Sequence, residues 1–310
     1  VDDPGLRPRG PRHSRARGSA RVVRDLAAVV LIGCSAFLAA GLVYGDPRFV
    51  GLFEFNDGAR AQPAAPAAHP TASPVGRQAG VPEDGSQMAV PPPGYEEQDQ
   101  PLGHPAPPPS SSASYKFLAA NADGTPVGYS PCRPLHYVVN ASLAPEGAGQ
   151  LAENAIRTVS EATGIKFVND GSTTENPSPS RAPYQKERYG ERWAPLLIAW
   201  TTPEQAPQLK GAVIGTGGST HFSFGDGPKS FVTGSLELDA PQITDELRRG
   251  DGSAYATAVI LHELGHVMGL EHVDDPTQLM YPEIGAPDGL AAGDLTGLHE
   301  LGRAPCRKDL

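Results

Sequence analysis

Only three cysteines occur in 310 residues. That excludes a disulfide-dense miniprotein and a structural zinc site of four cysteines. Positive charge is also in short supply: 25 Lys and Arg stand against 35 Asp and Glu, a formal charge of −10. With a pI near 5.4, the chain lacks the basic footprint of a general nucleic-acid binder. No internal repeat is visible, and nothing implies an oligomer. What abounds is glycine and proline, 36 and 33 residues, so part of the length is expected not to fold. The 39% apolar content is nevertheless too high for a wholly disordered chain.

Charge is unevenly spread. Residues 1–24 hold seven arginines, and residues 1–25 form a basic N-terminus. Residues 26–45, LAAVVLIGCSAFLAAGLVYG, carry no charge over twenty positions. As a helix they would span roughly 30 Å, the thickness of a bilayer core. Positive charge before an apolar run marks the cytoplasmic side. The expectation is a single-pass anchor that places the rest of the chain outside the cytoplasm. A cleaved secretory signal ending near Val43-Tyr44-Gly45 and a lipoprotein signal at Leu31-Ile32-Gly33-Cys34 are the alternatives. Residues 46–114 read as a disordered linker, with thirteen prolines between Ala61 and Ser114 and no sustained apolar period. The folded domain is then expected over 115–310, a usual single-domain size.

Within it, Leu135–Asn140 reads as a strand and Pro145–Thr163 as an amphipathic helix stopped by Gly164. Ile165–Val168, Leu196–Trp200, Gly211–Gly215 and Phe231–Leu238 read as further strands, and 171–192 as a long loop. Ser253 or Asp251 would cap a helix through Ala254–Met268. Uneven alternation of strands and helices gives an α+β class.

The chemistry lies in His262-Glu263-Leu264-Gly265-His266-Val267-Met268-Gly269-Leu270-Glu271-His272. On a helix, His262 and His266 are four apart and point from one face. Two imidazoles so placed can hold one zinc ion. Glu263 lies beside them, free to act as a base. By continuing the helix, His272 would lie about 15 Å further along the axis. The chain must therefore turn first, and Gly269 permits a left-handed turn.

The pattern HExxHxxGxxH resembles the zinc signature of metzincin metalloproteases. Leu279-Met280-Tyr281-Pro282 resembles their methionine turn, with Met280 eight residues after His272 as in the matrixin branch. Leu290–Leu298 is similar to the last matrixin helix. The resemblance implies a metzincin-like catalytic domain: a twisted, mostly parallel five-stranded sheet with an antiparallel edge strand, an active-site helix, a Met-turn and a C-terminal helix. It also implies one catalytic zinc on His262, His266 and His272, with Met280 as a structural floor. Glu263 would be the general base on a zinc-bound water that attacks a peptide bond of a protein or peptide substrate. That substrate would lie along an edge strand near Gly211–Gly215, and Tyr281–Ile284 would wall its pocket. The sequence offers calcium no support.

His221 sits in a stretch similar to one that helps bind a second, structural zinc in matrixins. No co-ligands are recognisable in 171–192, so an ordinary surface or strand histidine is expected, and His136 and His299 read as non-ligands. Val273 stands where vertebrate matrixins usually have serine, and no PRCGxPD stretch precedes the domain. Two roles are open to Cys132: a substitute for that blocking cysteine, or a disulfide with Cys306. The disulfide is the expectation, since an extracytoplasmic setting permits it. It would close about 175 residues and stabilise by about 5 kcal/mol in the chain-entropy model.

Overall fold

Leu196–Thr201 (β5) has all six residues buried, as expected of a strand covered on both faces. The computed structural model, which describes residues 89–284 and 289–310 and the backbone of 76–78, places it centrally in a sheet. The basic N-terminus and the apolar run 26–45 lie outside the described residues. Among the described residues, no helix is long and apolar enough to cross a membrane.

Leu135–Asn140 (β3) and Ser230–Asp239 (β7) flank β5, both parallel to it, with Val139 opposite Ile198 and Leu236 opposite Ile198 on the other side. Phe167–Ser172 (β4) adds in parallel beyond β3, and Gly215–Phe222 (β6) pairs antiparallel with β7. The sheet thus has the expected mostly parallel character with an antiparallel strand. Gly76–Gln78 (β1) pairs in parallel with the outer edge of β6, from Gly76 opposite Ser219 to Gln78 opposite His221.

Two helices cover one face. Ala148–Thr163 (α1) buries Ala152, Ala155, Ile156, Val159 and Ala162, a stripe at helical spacing. Gly164 ends it at φ 69°, a left-handed value that suits glycine. Gly252–Met268 (α4) is buried almost throughout, against Leu236 and Leu238 of β7 and Ile198 of β5. On the opposite face Leu197 and Ala199 pack with Val138 and Tyr189.

Several expectations are corrected. The antiparallel strand runs over 215–222 rather than 211–215, and β1 lies outside it, so the sheet has six strands where five were expected; residues 211–214 are held instead by Gln242, whose side chain donates to the Val213 carbonyl at 3.1 Å. The strand expected at 165–168 begins at Phe167. A helix not expected, Ala240–Leu247 (α3), follows β7 directly, capped by Asp239 accepting from the Gln242 N–H at 2.9 Å. The 171–192 segment contains the short helix Lys186–Tyr189 (α2). The C-terminal helix is Ala292–Leu301 (α5).

The largest correction concerns the linker. Residues 89–114 lie along the domain as a strap. The Gln98 N–H donates to the Cys132 carbonyl at 2.7 Å, that of Leu102 to Pro131 at 2.9 Å and that of Ala106 to Glu161 at 2.9 Å. Gly103 packs so closely on Gly164 that a Cβ there would lie 2.5 Å from its carbonyl oxygen. Docking through the main chain needs no apolar period, so proline-rich composition conceals it. Cys132 and Cys306 form a disulfide beside the strap, with Cα atoms 5.3 Å apart. Lys116–Phe117 (β2) then pairs antiparallel with Leu270–Glu271 (β8) in a separate two-stranded sheet.

Candidate metal centre

Helix α4 is a core helix, and that makes its polar residues conspicuous. From Ala258 to Met268 every side chain is buried, His262, Glu263 and His266 among them. Buried polar groups cost several kcal/mol unless they find partners. Glycines let neighbouring segments approach. A Cβ at Gly265 would lie 2.5 Å from the Met280 sulfur, so the Met-turn packs directly under the helix. A Cβ at Gly217 would lie 2.1 Å from the Glu263 carbonyl oxygen, so β6 can touch the helix only without a side chain there.

At Gly269 the helix ends at φ 119°, with its N–H shared between the Gly265 and His266 carbonyls at 3.1 Å each. The chain reverses, and β8 delivers His272 back to the helix face. The structure therefore brings His262, His266 and His272 together. Nε2 of His272 lies 3.1 Å from Nε2 of His262 and 3.1 Å from Nε2 of His266. Nδ1 of His262 donates to the Leu279 carbonyl at 2.7 Å, and Nδ1 of His266 to that of Leu270 at 2.8 Å. Those bonds fix the hydrogens on Nδ1 and leave Nε2 lone pairs facing inward.

Burial keeps the imidazoles neutral. It pushes His262 down to about 4, with His272 adding to the shift. Burial and then His262 and His272 hold His266 well below its usual value. His272 is also lowered by burial, with Glu271 opposing. Three neutral rings converge on one point through Nε2, and with its hydrogen on Nδ1 His272 would offer a cation there a third lone pair. A zinc ion with tetrahedral bonds of 2.0–2.1 Å has ligand edges of about 3.3 Å, close to the separations observed. The residues fit the ion.

Glu263 accepts a backbone hydrogen bond from Gly217, and burial pushes its carboxyl up to about 8, with Glu237 adding a smaller increment. Met280 is buried against Gly265 rather than turned to the histidines. Its N–H and that of Leu279 donate to Asp294, at 3.2 and 2.8 Å, and Asp294 also accepts from Ala291 at 2.8 Å. Asp294 thus ties α5 to the turn whose Leu279 carbonyl orients His262. Sequence reasoning missed it; the available signal was an acid in the first turn of that helix.

His221 is a buried strand histidine, not a surface one, and neither ring nitrogen has a hydrogen-bond partner among the described residues. His136 sits in an ion cluster with Asp170 and Glu96, and His299 faces the Ala106 carbonyl. Among the described residues, one other group of possible ligands appears, Glu97 with Cys132 and Cys306, and its cysteines are consumed by the disulfide.

Residues 199–301 match the matrixin family. That span holds β6, β7, the helix with His262 and His266, the segment with His272, the Met-turn and α5. Over these residues the chain is similar to the matrixins. It is 34% identical to rabbit macrophage metalloelastase over 99 residues, 31% of this chain and 20% of the relative. It is 38% identical to matrilysin of Felis catus over 94 residues, 28% of this chain and 33% of the relative. The chain spans a third or less of the length of these relatives. Among solved structures it is similar to high choriolytic enzyme 1, a hatching-enzyme zinc-protease from Oryzias latipes. That likeness has 15% identity and a TM-score of 0.30, over 65% of this chain and all of that one. It is also similar to archaemetzincin from Methanopyrus kandleri, at 16% identity and TM-score 0.29 over 56% and 87% of the two chains.

Proposed function

We propose that the matrixin-like domain is a zinc endopeptidase. The observation that carries this reading is the convergence of three histidine Nε2 atoms, two of them with the buried Glu263 on a helix otherwise built as core. His262, His266 and His272 would hold the ion. Zinc bound there supplies Lewis-acid polarisation of a scissile carbonyl and makes water a competent nucleophile near neutral pH.

The chain's own residues do the rest. Glu263 is held by the Gly217 N–H and closed off from solvent, so its carboxyl is raised toward the working pH range. A base in that range can take a proton from attacking water and pass it to the leaving amine. The Leu279 and Leu270 carbonyls prevent the histidine rings from turning. A substrate would add to the outer edge of β6 by main-chain hydrogen bonds. Because β1 pairs with Ser219–His221, the part of that edge next to Glu263, residues 215–218, is the part proposed to receive it. Tyr281–Ile284 is proposed as the pocket wall by resemblance. The disulfide supports an oxidising compartment, hence a domain outside the cytoplasm.

The test is zinc content and casein cleavage by the full chain, with Glu263→Ala beside it. The expected result is one zinc in each and a fall of about 10²–10⁴-fold in turnover for the variant, the usual share of a general base. Equal cleavage by both proteins would remove Glu263 from the chemistry. Zinc binding with no cleavage by either would make the domain a binding module.

A further inference from the structure

The three histidines are not held alike. His262 and His266 are clamped by α4 and by carbonyls on Nδ1. His272 follows a two-residue strand, and its side chain is 42% exposed. The nearest acceptor to its Nδ1 is Glu271, 3.9 Å away. Its position therefore depends on whatever fixes the backbone of 269–275.

That backbone is held on one side by the Met-turn, where the Val273 N–H donates to the Met280 carbonyl at 3.1 Å, and on the other by the end of the strap. Strand β8 has a single partner in its sheet, β2, with Lys116 opposite Glu271 and Phe117 opposite Leu270. The Leu118 N–H donates to the Gly269 carbonyl at 2.9 Å, at the residue where the helix ends. On the far side of His272, Lys116 Nζ pairs with Asp274 at 3.0 Å. Ser114 hydrogen-bonds Asp275. The strap is itself seated on α5: the Ser112 N–H donates to Thr296 Oγ1 at 3.3 Å, and a Cβ at Gly293 would lie 2.2 Å from the Ser114 carbonyl oxygen.

We infer that residues 114–118 are the positioning element for the third ligand, His272, and set the affinity of the site for zinc. This rests on the zinc-site reading above. A two-residue ladder is marginal alone, so each bond that seats it counts in how often His272 stands ready. The function of the strap is then local to the metal rather than a general fastening of the fold.

The experiment compares two prolines in the full chain. Leu118→Pro removes the N–H bonded to Gly269, and Gln98→Pro removes an equivalent strap bond, to Cys132, far along the chain from the histidines. Zinc affinity is read by competition with a chromogenic chelator, ligand geometry from the visible bands of the cobalt(II) form, and stability by thermal melting. One lost hydrogen bond predicts zinc binding weaker by about three- to tenfold for Leu118→Pro, with altered cobalt bands. Gln98→Pro should melt lower with unchanged affinity. Should Leu118→Pro not fold, Lys116→Ala decides: loss of a nearby positive charge alone would tighten zinc, whereas loss of positioning weakens it, by about twofold for an exposed ion pair. Wild-type affinity in both Leu118→Pro and Lys116→Ala, with zinc bound by the native chain, overturns the inference and leaves the site standing. Failure of the native chain to bind zinc overturns both.

Discussion

Two buried polar clusters lie in this domain, and they are built on opposite principles. Around Glu175 every group is matched. Arg181 makes a bidentate pair with its carboxylate at 3.0 and 3.1 Å, Tyr189 donates at 2.6 Å and Gln185 at 2.8 Å. The remaining guanidinium hydrogens reach Thr233 at 2.9 Å and the Pro195 carbonyl at 2.8 Å. Burial alone would raise the Glu175 carboxyl, but Arg181, Tyr189 and Gln185 outweigh it and hold the group below its usual range. Around His272 the accounts do not close: its Nε2 lies 3.1 Å from Nε2 of both His262 and His266, whose Nδ1 hydrogens go to backbone carbonyls, and Glu263 has its carboxyl raised to about 8. A cluster complete in itself fastens a loop. A cluster left unmatched fits the proposed reading of a site that takes an ion, and local conflict of this kind is what a functional site looks like physically.

The sharpest way to break the comparison is to uncouple the matched cluster. Arg181→Ala takes the bidentate partner from the buried Glu175 carboxylate and leaves it only the half-exposed Arg188 at 3.9 Å as a cation, which costs about 3 kcal/mol. Urea unfolding should show that loss directly. Replacing both residues by apolar ones of similar volume should recover most of it, because a buried pair is worth little beyond its mutual need. If Arg181→Ala melted like the native chain, the loop 173–192 would not be fastened by this pair.

The open cluster should respond to the opposite treatment. Chelation leaves the Glu175 network untouched and removes what the histidines require. At a free zinc concentration a thousandfold above the dissociation constant, bound metal stabilises by about 4 kcal/mol, and chelation should remove that amount. Thermal melting with and without chelator reads it, and restored zinc should restore the melting temperature. An unchanged melting curve would show that the ion contributes nothing to the folded state.

Which parts of this were legible beforehand follows from the kind of force each part uses. Side-chain periodicity announced Leu135–Asn140 at its true limits and the helix ending at Thr163. The three converging histidines and Glu263 were readable because helix geometry fixes the spacing of His262 and His266, and Gly269 explains the break before His272. The antiparallel strand was misplaced because GTGGSTHF has the composition of a loop. It is a strand because α4 comes so close that Gly217 can carry no side chain. The strap was invisible because it binds through main-chain N–H groups, which leave no trace in residue type. Glu175 and Arg181 were hidden for another reason: a pair six residues apart in a polar loop looks the same whether it is solvated or buried.

His221 sharpens the comparison with the smallest effect, because it fits neither cluster. It is buried like His262 and His266, yet neither ring nitrogen has a hydrogen-bond partner among the described residues. Burial, and then Lys229, push its pKa down to about 4. The folded chain therefore holds it neutral where the unfolded chain, at about 6.5, is already taking up a proton. Proton uptake by the unfolded state alone favours unfolding, so stability is full above about pH 6.5 and declines as pH falls toward 4. At pH 5.5 the loss amounts to about 1 kcal/mol. His221→Phe cannot take up that proton, so its stability relative to the native chain should improve by this amount between pH 7.5 and pH 5.5. Both proteins are unfolded in urea with zinc in excess, so the ligand histidines contribute equally and cancel. Parallel stability curves would mean that His221 is matched in solution, and it would then belong with Glu175 rather than between the two clusters.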